Sequence, residues 1–518
     1  MSDVTKPIRM WPALWALIFG FTLLIIDGTV VSIATPSIMR DLNTSVTAIM
    51  WVTSSYLLAA AVPLLLSGRL GDIFGPRAMY LSGMVLFIVA SAGSGLAPTI
   101  EVLVAFRAVQ GLAAAMMAPQ TMAIITRIFP PDQRGVAMGF WGAVGSSAGL
   151  IGPILGGVLV DTVGWRWIFF INLPIGILGL LIGWRFVPRL PRNPGRVDWL
   201  GTVLSAIGVF LIVFGIQEGS EHQWGTLIGP ITIWMVIVAG VLVMVGFVFY
   251  ERDAASPLLP LSLFRERNFS LANLGHVFTA MAMVSIMTPL TYFLQDGRGV
   301  SATVAALLIA PMAIISGVLS PFVGRLADRV DPKWLALIGI AILCGGLLWL
   351  QSMLTLNSSF ALIAVAMAVC GLGASGMGSP ITIAATRNLA PAQAGSGSAV
   401  YNATQRLGSV LGAAAITALM ATSLAVGQSG DSSGPRKLPP AELDAFIAHV
   451  ATAMWLPVLC TVAALVVVAF FGRQKKVTVW HAPVGVSAAG AMDQAGGHVR
   501  AGVTASAAPA ATPIPADE

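Results

Sequence analysis

Two ionisable residues of opposite sign stand inside long apolar stretches of this chain: Asp27 in Ile25-Ile26-Asp27-Gly28-Thr29, and Arg107 in Phe106-Arg107-Ala108-Val109-Gln110. A low-dielectric surround disfavours the charged form of a carboxylate, so Asp27 can gain and lose a proton near neutral pH. That makes it a candidate proton carrier or a counter-charge for a cation. At 1.5 Å per residue, Asp27 lies roughly 13 Å and Arg107 roughly 8 Å from the same helix ends, which lets the two meet. Arg406, in Tyr401-Asn402-Ala403-Thr404-Gln405-Arg406, lies roughly 13 Å in from the opposite end of its helix. With Asn402 one turn away it is a candidate lining of a central cavity, because an intramembrane arginine seldom faces lipid. The plainer readings are a static polar cap for Asp27 and Arg107, and snorkelling to the nearer surface for Arg406.

A second chemistry repeats. Gly68-Arg69-Leu70-Gly71-Asp72 is followed by Pro76-Arg77, and Gly324-Arg325-Leu326-Ala327-Asp328 by Pro332-Lys333. In both, an aspartate follows the first glycine at the same interval, and the Pro–basic pair comes at the same distance. Such a loop suits a charged latch, its aspartate facing a helix N-terminus or a neighbouring arginine. Gly68, Arg69, Asp72, Arg77 and Asp328 are therefore candidate gate residues. Elsewhere, Gly152-Pro153 permits a bend, and Gly156-Gly157 lets another backbone approach closely. This is a candidate hinge, with plain helix packing as the alternative.

These residues must be positioned by helices in a bilayer. Of 518 residues, 57% are hydrophobic and 10% charged, with mean hydropathy +0.86. An ordinary soluble domain carries about 25% charge, so a water-soluble fold of this size is excluded. Backbone groups in hydrocarbon need internal partners, and no ten-residue alternating pattern suggests a barrel, so the apolar runs read as helices. A crossing needs about 20 apolar residues, and fourteen runs qualify, from about 11–36 to about 446–471. Most of the 28 Lys and Arg then fall on one side, leaving Arg40, Arg166, Arg298, Arg436 and Lys437 on the other. The asymmetry places both termini in the cytoplasm.

The repeated loops occupy equivalent places in two six-helix halves once spans 7 and 8 are treated as an insertion. The expected organisation is a first bundle over 1–192, two inserted helices over 193–260, a second bundle over 261–472, and a disordered cytoplasmic tail over 473–518. The net charge of +6 is dispersed, which argues against nucleic acid as a partner. Cys344, Cys370 and Cys460 sit in apolar runs without metal spacing and read as small core residues, and the five histidines show no metal pattern. His276 is expected to pack as a polar core residue. No phosphate-binding G-x-x-x-x-G-K-[ST] loop and no catalytic set is present, so neither cofactor, metal nor enzymatic activity is expected.

At this point the motifs resemble the major facilitator superfamily, and more narrowly its fourteen-span drug:proton antiporter branch. Gly68 to Arg77 resembles the superfamily's loop between spans 2 and 3, with Pro76 replacing one of its usual basic residues. Ile26-Asp27-Gly28-Thr29-Val30-Val31-Ser32-Ile33-Ala34-Thr35-Pro36 resembles the drug-antiporter signature of span 1. Arg107-Ala108-Val109-Gln110-Gly111 resembles the span-4 arginine motif. Gly152-Pro153-Ile154-Leu155-Gly156-Gly157 resembles the span-5 antiporter motif, with Ala148 where a glycine is usual. Trp165-Arg166-Trp167-Ile168-Phe169-Phe170-Ile171-Asn172-Leu173-Pro174 resembles the fourteen-span branch's entry to span 6.

The resemblance implies an all-α integral membrane protein of the major-facilitator fold, two six-helix bundles plus two additional helices. It implies a monomeric multidrug efflux antiporter of the cell (inner) membrane, exchanging protons for hydrophobic or amphipathic small molecules by alternating access. It also implies Arg134, at the start of span 5, as a partner for Asp72. Two other readings stand beside it: an exporter of one endogenous metabolite, lipid or self-made antibiotic, and a non-transporting membrane sensor.

Overall fold

The computed structural model describes residues 9–472, apart from 45, 131, 193–196, 223, 255–256, 388, 390–392 and 428–439. The tail after Arg473 lies outside the described residues. The chain is a succession of helices. The first group comprises α1 (Met10–Asp41), α2 (Val46–Ala61), α3 (Leu64–Phe74), α4 (Pro76–Gly95), α5 (Ile100–Ile128), α6 (Arg134–Thr162), α7 (Trp167–Phe170) and α8 (Asn172–Phe186). Then come α9 (Trp199–Glu221), a small antiparallel hairpin of β1 (Thr226–Ile228) and β2 (Ile231–Thr232), and α10 (Ile233–Asp253). The last group is α11 (Arg267–Tyr292), α12 (Ala302–Arg329), α13 (Pro332–Ser352), α14 (Phe360–Thr386), α15 (Ala394–Gly427), α16 (Pro440–Ala453) and α17 (Trp455–Ala469).

Among the described residues, 11 helices are long and apolar enough to cross a membrane, or up to 12 if the bent pair α2–α3 counts as one. The bend is 47° and falls at Val62-Pro63, where proline supplies no amide hydrogen to the helix ladder. Helices α6 and α15, of 29 and 34 residues, also exceed the length a bilayer requires. The count is consistent with the fourteen spans expected without fixing that number.

Local chemistry sets the helix ends. Thr99, Asp198, Thr232 and Ser301 cap α5, α9, α10 and α12 by accepting from Val102, Gly201, Met235 and Val304 backbone N–H groups. Asp331 accepts from Lys333 N at 3.0 Å, with Pro332 in the first turn of α13. Gly75 takes φ +97 between α3 and α4, a backbone conformation that disfavours a side chain. Large apolar side chains stay exposed along α10, including Trp234, Val238, Leu242 and Phe249, as expected of a helix that meets hydrocarbon. Cys370 and Cys460 are buried, Cys344 is half-buried, and all three are free thiols.

The two groups of helices touch along two seams. On one, α6 lies against α12: Gly135 faces Gly324 backbone to backbone, Gly139 faces Ser320 and Pro321, and Gly317 faces Ser147. On the other, α15 lies against α3, where a methyl group at Gly68 would sit 2.5 Å from Ala399 Cβ. Further along, α6 turns its small residues onto α1 at Thr29 and Val30, and α15 turns its own onto α11 at Val277 and Met281. The groups are thus tied at the end that carries Asp72 and Asp328. Helix α9 lies across the α2–α15 boundary, where Leu58, Ala61 and Val213 form one buried cluster with Trp51 and Val410 packed against it.

Candidate functional site

Asp27 and Arg107 form a buried ion pair. Arg107 Nη1 lies 2.5 Å from Asp27 Oδ2, and both residues have 0% exposure. Helix α1 presents Asp27 to α5 and α8, because Ile26, Thr29 and Val30 take the face toward α6. Gln110, one turn beyond Arg107, donates from Nε2 to Asp27 Oδ1 at 3.2 Å and accepts from Arg107 Nη1 at 3.0 Å. Asn172, at the start of α8, donates to the same Asp27 oxygen at 2.9 Å and contacts Ser91 Oγ at 3.0 Å. Ser94 Oγ donates to Gln110 Oε1 at 3.2 Å, and Arg107 Nε donates to the Val52 carbonyl at 3.2 Å. An isolated buried charge is expensive, and here both oxygens of Asp27 and the Nε and Nη1 of Arg107 have partners. Protonating Asp27 would remove the ion pair and leave Arg107 uncompensated.

Tyr56 extends this cluster toward the second group of helices. Arg107 Cζ stands 4.3 Å from its ring centroid, a cation–π contact, and the Tyr56 hydroxyl donates to the Leu24 carbonyl at 3.4 Å. Arg406 of α15 lies close enough to Tyr56 to act on its hydroxyl electrostatically. Asn402 does not join Arg406: its amide donates to the Ser398 carbonyl at 2.8 Å, on its own helix. His276 stacks on Tyr401 with centroids 4.1 Å apart, and Tyr401 also meets Thr382 Oγ1 at 2.8 Å.

The two repeated loops face the opposite group of helices by the same geometry. Asp328 accepts from Gly135 N at 2.7 Å and Val136 N at 3.1 Å, so its carboxylate sits on the first turn of α6. Asp72 accepts from Ser396 Oγ at 3.3 Å in the first turn of α15, beside Gly395. The pairing of Asp72 with Arg134 is corrected. Asp72 pairs with Arg127 of α5 at 2.6 Å, whereas Arg134 Nε donates to the Phe129 carbonyl at 3.0 Å. Arg127 ends α5 beside the loop, while the head of α6 is already occupied by Asp328. Arg77 donates to the Trp184 carbonyl at 2.5 Å, tying α4 to α8, and Arg69 lies half-buried on α3. Gly152 and Gly156 are packing surfaces for Thr29 and Val30, while Gly157 has no neighbour within 4 Å. The side chain of Pro153 lies outside the described residues.

Gln110 and Asn172 lie within the motifs quoted above with no role assigned to them, and Tyr56, Ser91 and Arg127 lie outside those motifs. The spacing of Arg107 and Gln110, one turn apart on a single helix face, was the available signal for one of them. Nothing local marks the others, because each is recruited by a neighbouring helix.

Long apolar helices with polar side chains buried among them define an integral membrane protein. The sequence profile described as Major Facilitator Superfamily matches residues 17–413, with a second match over 272–485. The chain belongs to this superfamily. An uncharacterized MFS-type transporter of Mycobacterium tuberculosis is 43% identical over 89% of this chain and 82% of its own length. The tetracenomycin C resistance and export protein of Streptomyces glaucescens is 33% identical, covering 80% of this chain and 76% of its own. The multidrug transporter protein MdtP of Bacillus subtilis is 30% identical, covering 87% and 82%. Among solved structures, the human organic anion transporter MFSD10 superposes with TM-score 0.60 over 88% of this chain and 99% of that one, at 13% identity. The proton:xylose symporter XylE gives TM-score 0.58 over 90% and 96%, at 17% identity. These two establish the fold alone.

Proposed function

We propose that the protein exports hydrophobic or amphipathic small molecules from the cytoplasm in exchange for protons, across a cell membrane in which both termini face inward. The observation that carries this reading is Asp27, a carboxylate with 0% exposure held by Arg107, Gln110 and Asn172 at mid-depth of the first bundle. Deprotonated, it neutralises Arg107 and holds α1, α5 and α8 together. Protonated from the outer face, it releases Arg107, and the cluster loses the pairing that fixed its geometry. The relatives named for drug resistance and export support the cargo class.

The seams support an outward-facing arrangement. Asp72 on the head of α15 and Asp328 on the head of α6 close the inner end, and opening inward breaks both latches together. Substrate would enter from the cytoplasm or inner leaflet once they part. A membrane potential of 100 mV contributes about 2.3 kcal/mol per charge moved, enough to bias two such states when the exchange is electrogenic.

The test is purified protein in liposomes with an imposed pH gradient and a panel of lipophilic antibiotics, beside Asp27→Asn. We expect gradient-driven accumulation in the wild type and gradient-independent movement in Asp27→Asn. Wild-type flux that ignores the gradient rejects proton coupling, and unchanged coupled flux in Asp27→Asn removes that residue from the mechanism.

A further inference from the structure

The two inserted helices are fastened to both bundles, and a buried carboxylate makes one of the fastenings. α9 and α10 pack as one unit, with Gly208 seating Met244, Gly215 seating Ile237 and Gly240 seating Ile212. At their inner end Asp198 accepts from Gly201 N of α9 at 2.9 Å and from the Tyr250 hydroxyl of α10 at 3.0 Å. Glu251, the next residue of α10, is 2% exposed and turns its carboxylate onto the connection to α11. It accepts there from Leu258 N and Leu259 N, each at 3.2 Å. Those amides lie outside any helix, so they need an acceptor as much as the buried carboxylate needs donors. The two bonds tuck Leu258 and Leu259 into a buried cluster with Leu263, Phe247 of α10, Phe269 of α11 and Val400 of α15, against which Leu65 of α3 packs. The cluster borders the α3–α15 seam, since Leu65 stands one turn before Gly68 and Val400 follows Ala399, the two residues that meet there. α9 also touches α2 and α15, with the rings of Trp51 and Phe214 6.0 Å apart.

We infer that the inserted pair is a clip across the α3–α15 seam, and that Glu251 is the positioning residue that keeps it fastened by holding Leu258 and Leu259 in the shared cluster. Inward opening carries α3 away from α15, so a unit attached to both must let go on one side. While Glu251 grips the two amides, the leucines hide apolar surface at the seam and the inner-closed shape is favoured. Once they are released, less apolar surface is buried there and opening costs less. Glu251 acts through the connection and not on cargo. The inference rests on the alternating-access reading above and concerns the balance between its two shapes.

The test uses full-length protein in nanodiscs, without cargo or gradient. Spin labels at Phe74 of α3 and Trp334 of α13, both exposed, report the separation of the bundles by double electron–electron resonance. Glu251→Ala should raise the ratio of long to short distances about tenfold, and Glu251→Gln, which keeps one acceptor, by less. Thr232→Val removes the cap from the outer end of the same helix and should leave the ratio unaltered. An equal rise in Thr232→Val would make Glu251 a general support of α10 and overturn the inference. An unchanged ratio in folded Glu251→Ala overturns it too, or in Glu251→Gln where the alanine variant does not fold. Coupling is reciprocal, so the clip must also sense the seam. Pro257 and Pro260 carry no amide hydrogen, and exchange in the segment 257–260 therefore reports Leu258 and Leu259 alone. Asp72→Asn weakens the same seam without touching α10, and should lengthen the spin-label distance and speed that exchange about tenfold. Lengthening without faster exchange overturns the clip. A distance that stays short in Asp72→Asn but lengthens in Glu251→Ala supports the clip and counts against the Asp72 latch of the transport reading.

Discussion

Substituting Gly324 by alanine tests the inner latch most directly. The added methyl group would project into the Gly135 carbonyl and lie 3.2 Å from Gly139 Cα, both backbone atoms of the opposite bundle. Neither can rotate away, so the α6–α12 seam must part. Parting takes Asp328 off Gly135 N and Val136 N, now at 2.7 and 3.1 Å. Hydrogen bonds to a charged acceptor contribute roughly 1.5–3 kcal/mol each, so the closed inner end loses roughly 3–6 kcal/mol. Even the smaller figure moves a two-state ratio by about a hundredfold. Spin labels at Phe74 and Trp334, both exposed near the latches, would report the distance between bundles by double electron–electron resonance. The native cysteines would be replaced by serine. The wild type should show the short distance, and Gly324→Ala a dominant longer one. Gly345→Ala, at a position with no neighbour within 4 Å, should leave the distribution unaltered. A folded Gly324→Ala protein with the wild-type distance distribution would refute the reasoning.

Asn172→Leu removes a donor from Asp27 Oδ1 and a partner from Ser91, and should lower stability by about 1–3 kcal/mol, seen as a reduced Tm in scanning fluorimetry. An unchanged Tm would show that the carboxylate does not depend on it. At the outer end, hydrogen bonds from Arg166 and then from Trp165 hold the Asp41 carboxyl below the usual carboxylate range. A depressed folded-state value means that the contribution is complete above the unfolded value of about 3.9 and fades as pH falls through the folded one. Asp41→Asn should therefore lower stability equally at all pH values between about 5 and 8, by no more than about 1 kcal/mol because the pair is exposed, and the accompanying difference in Tm should vanish in stronger acid. A difference that grows on acidification would contradict this sign.

Much of the architecture was legible because a bilayer makes helix formation and apolar length nearly the same requirement. The meeting of Asp27 with Arg107 followed from depth along two helices, a quantity that sequence carries. Lateral choice is different. Arg127 and Arg134 stand seven positions apart around one turn of chain, and which of them reaches Asp72 depends on how α3 leans on α5. Tyr56 and Arg406 belong to separate bundles, and no periodicity links them. Gly152 and Gly156 read as a hinge or as plain helix packing from their types alone, and the neighbours they seat, Thr29 and Val30, are set by α1.

Asp328 grips main-chain amides rather than a side chain, and every residue except proline carries such an amide. The docking partner is therefore indifferent to most changes of residue identity at Val136. What it demands is volume, since Gly135 must remain small for the backbones to touch. Substitutions at the head of α6 should thus divide sharply, with apolar replacements of the buried Val136 leaving the grip intact and any added bulk at Gly135 disabling.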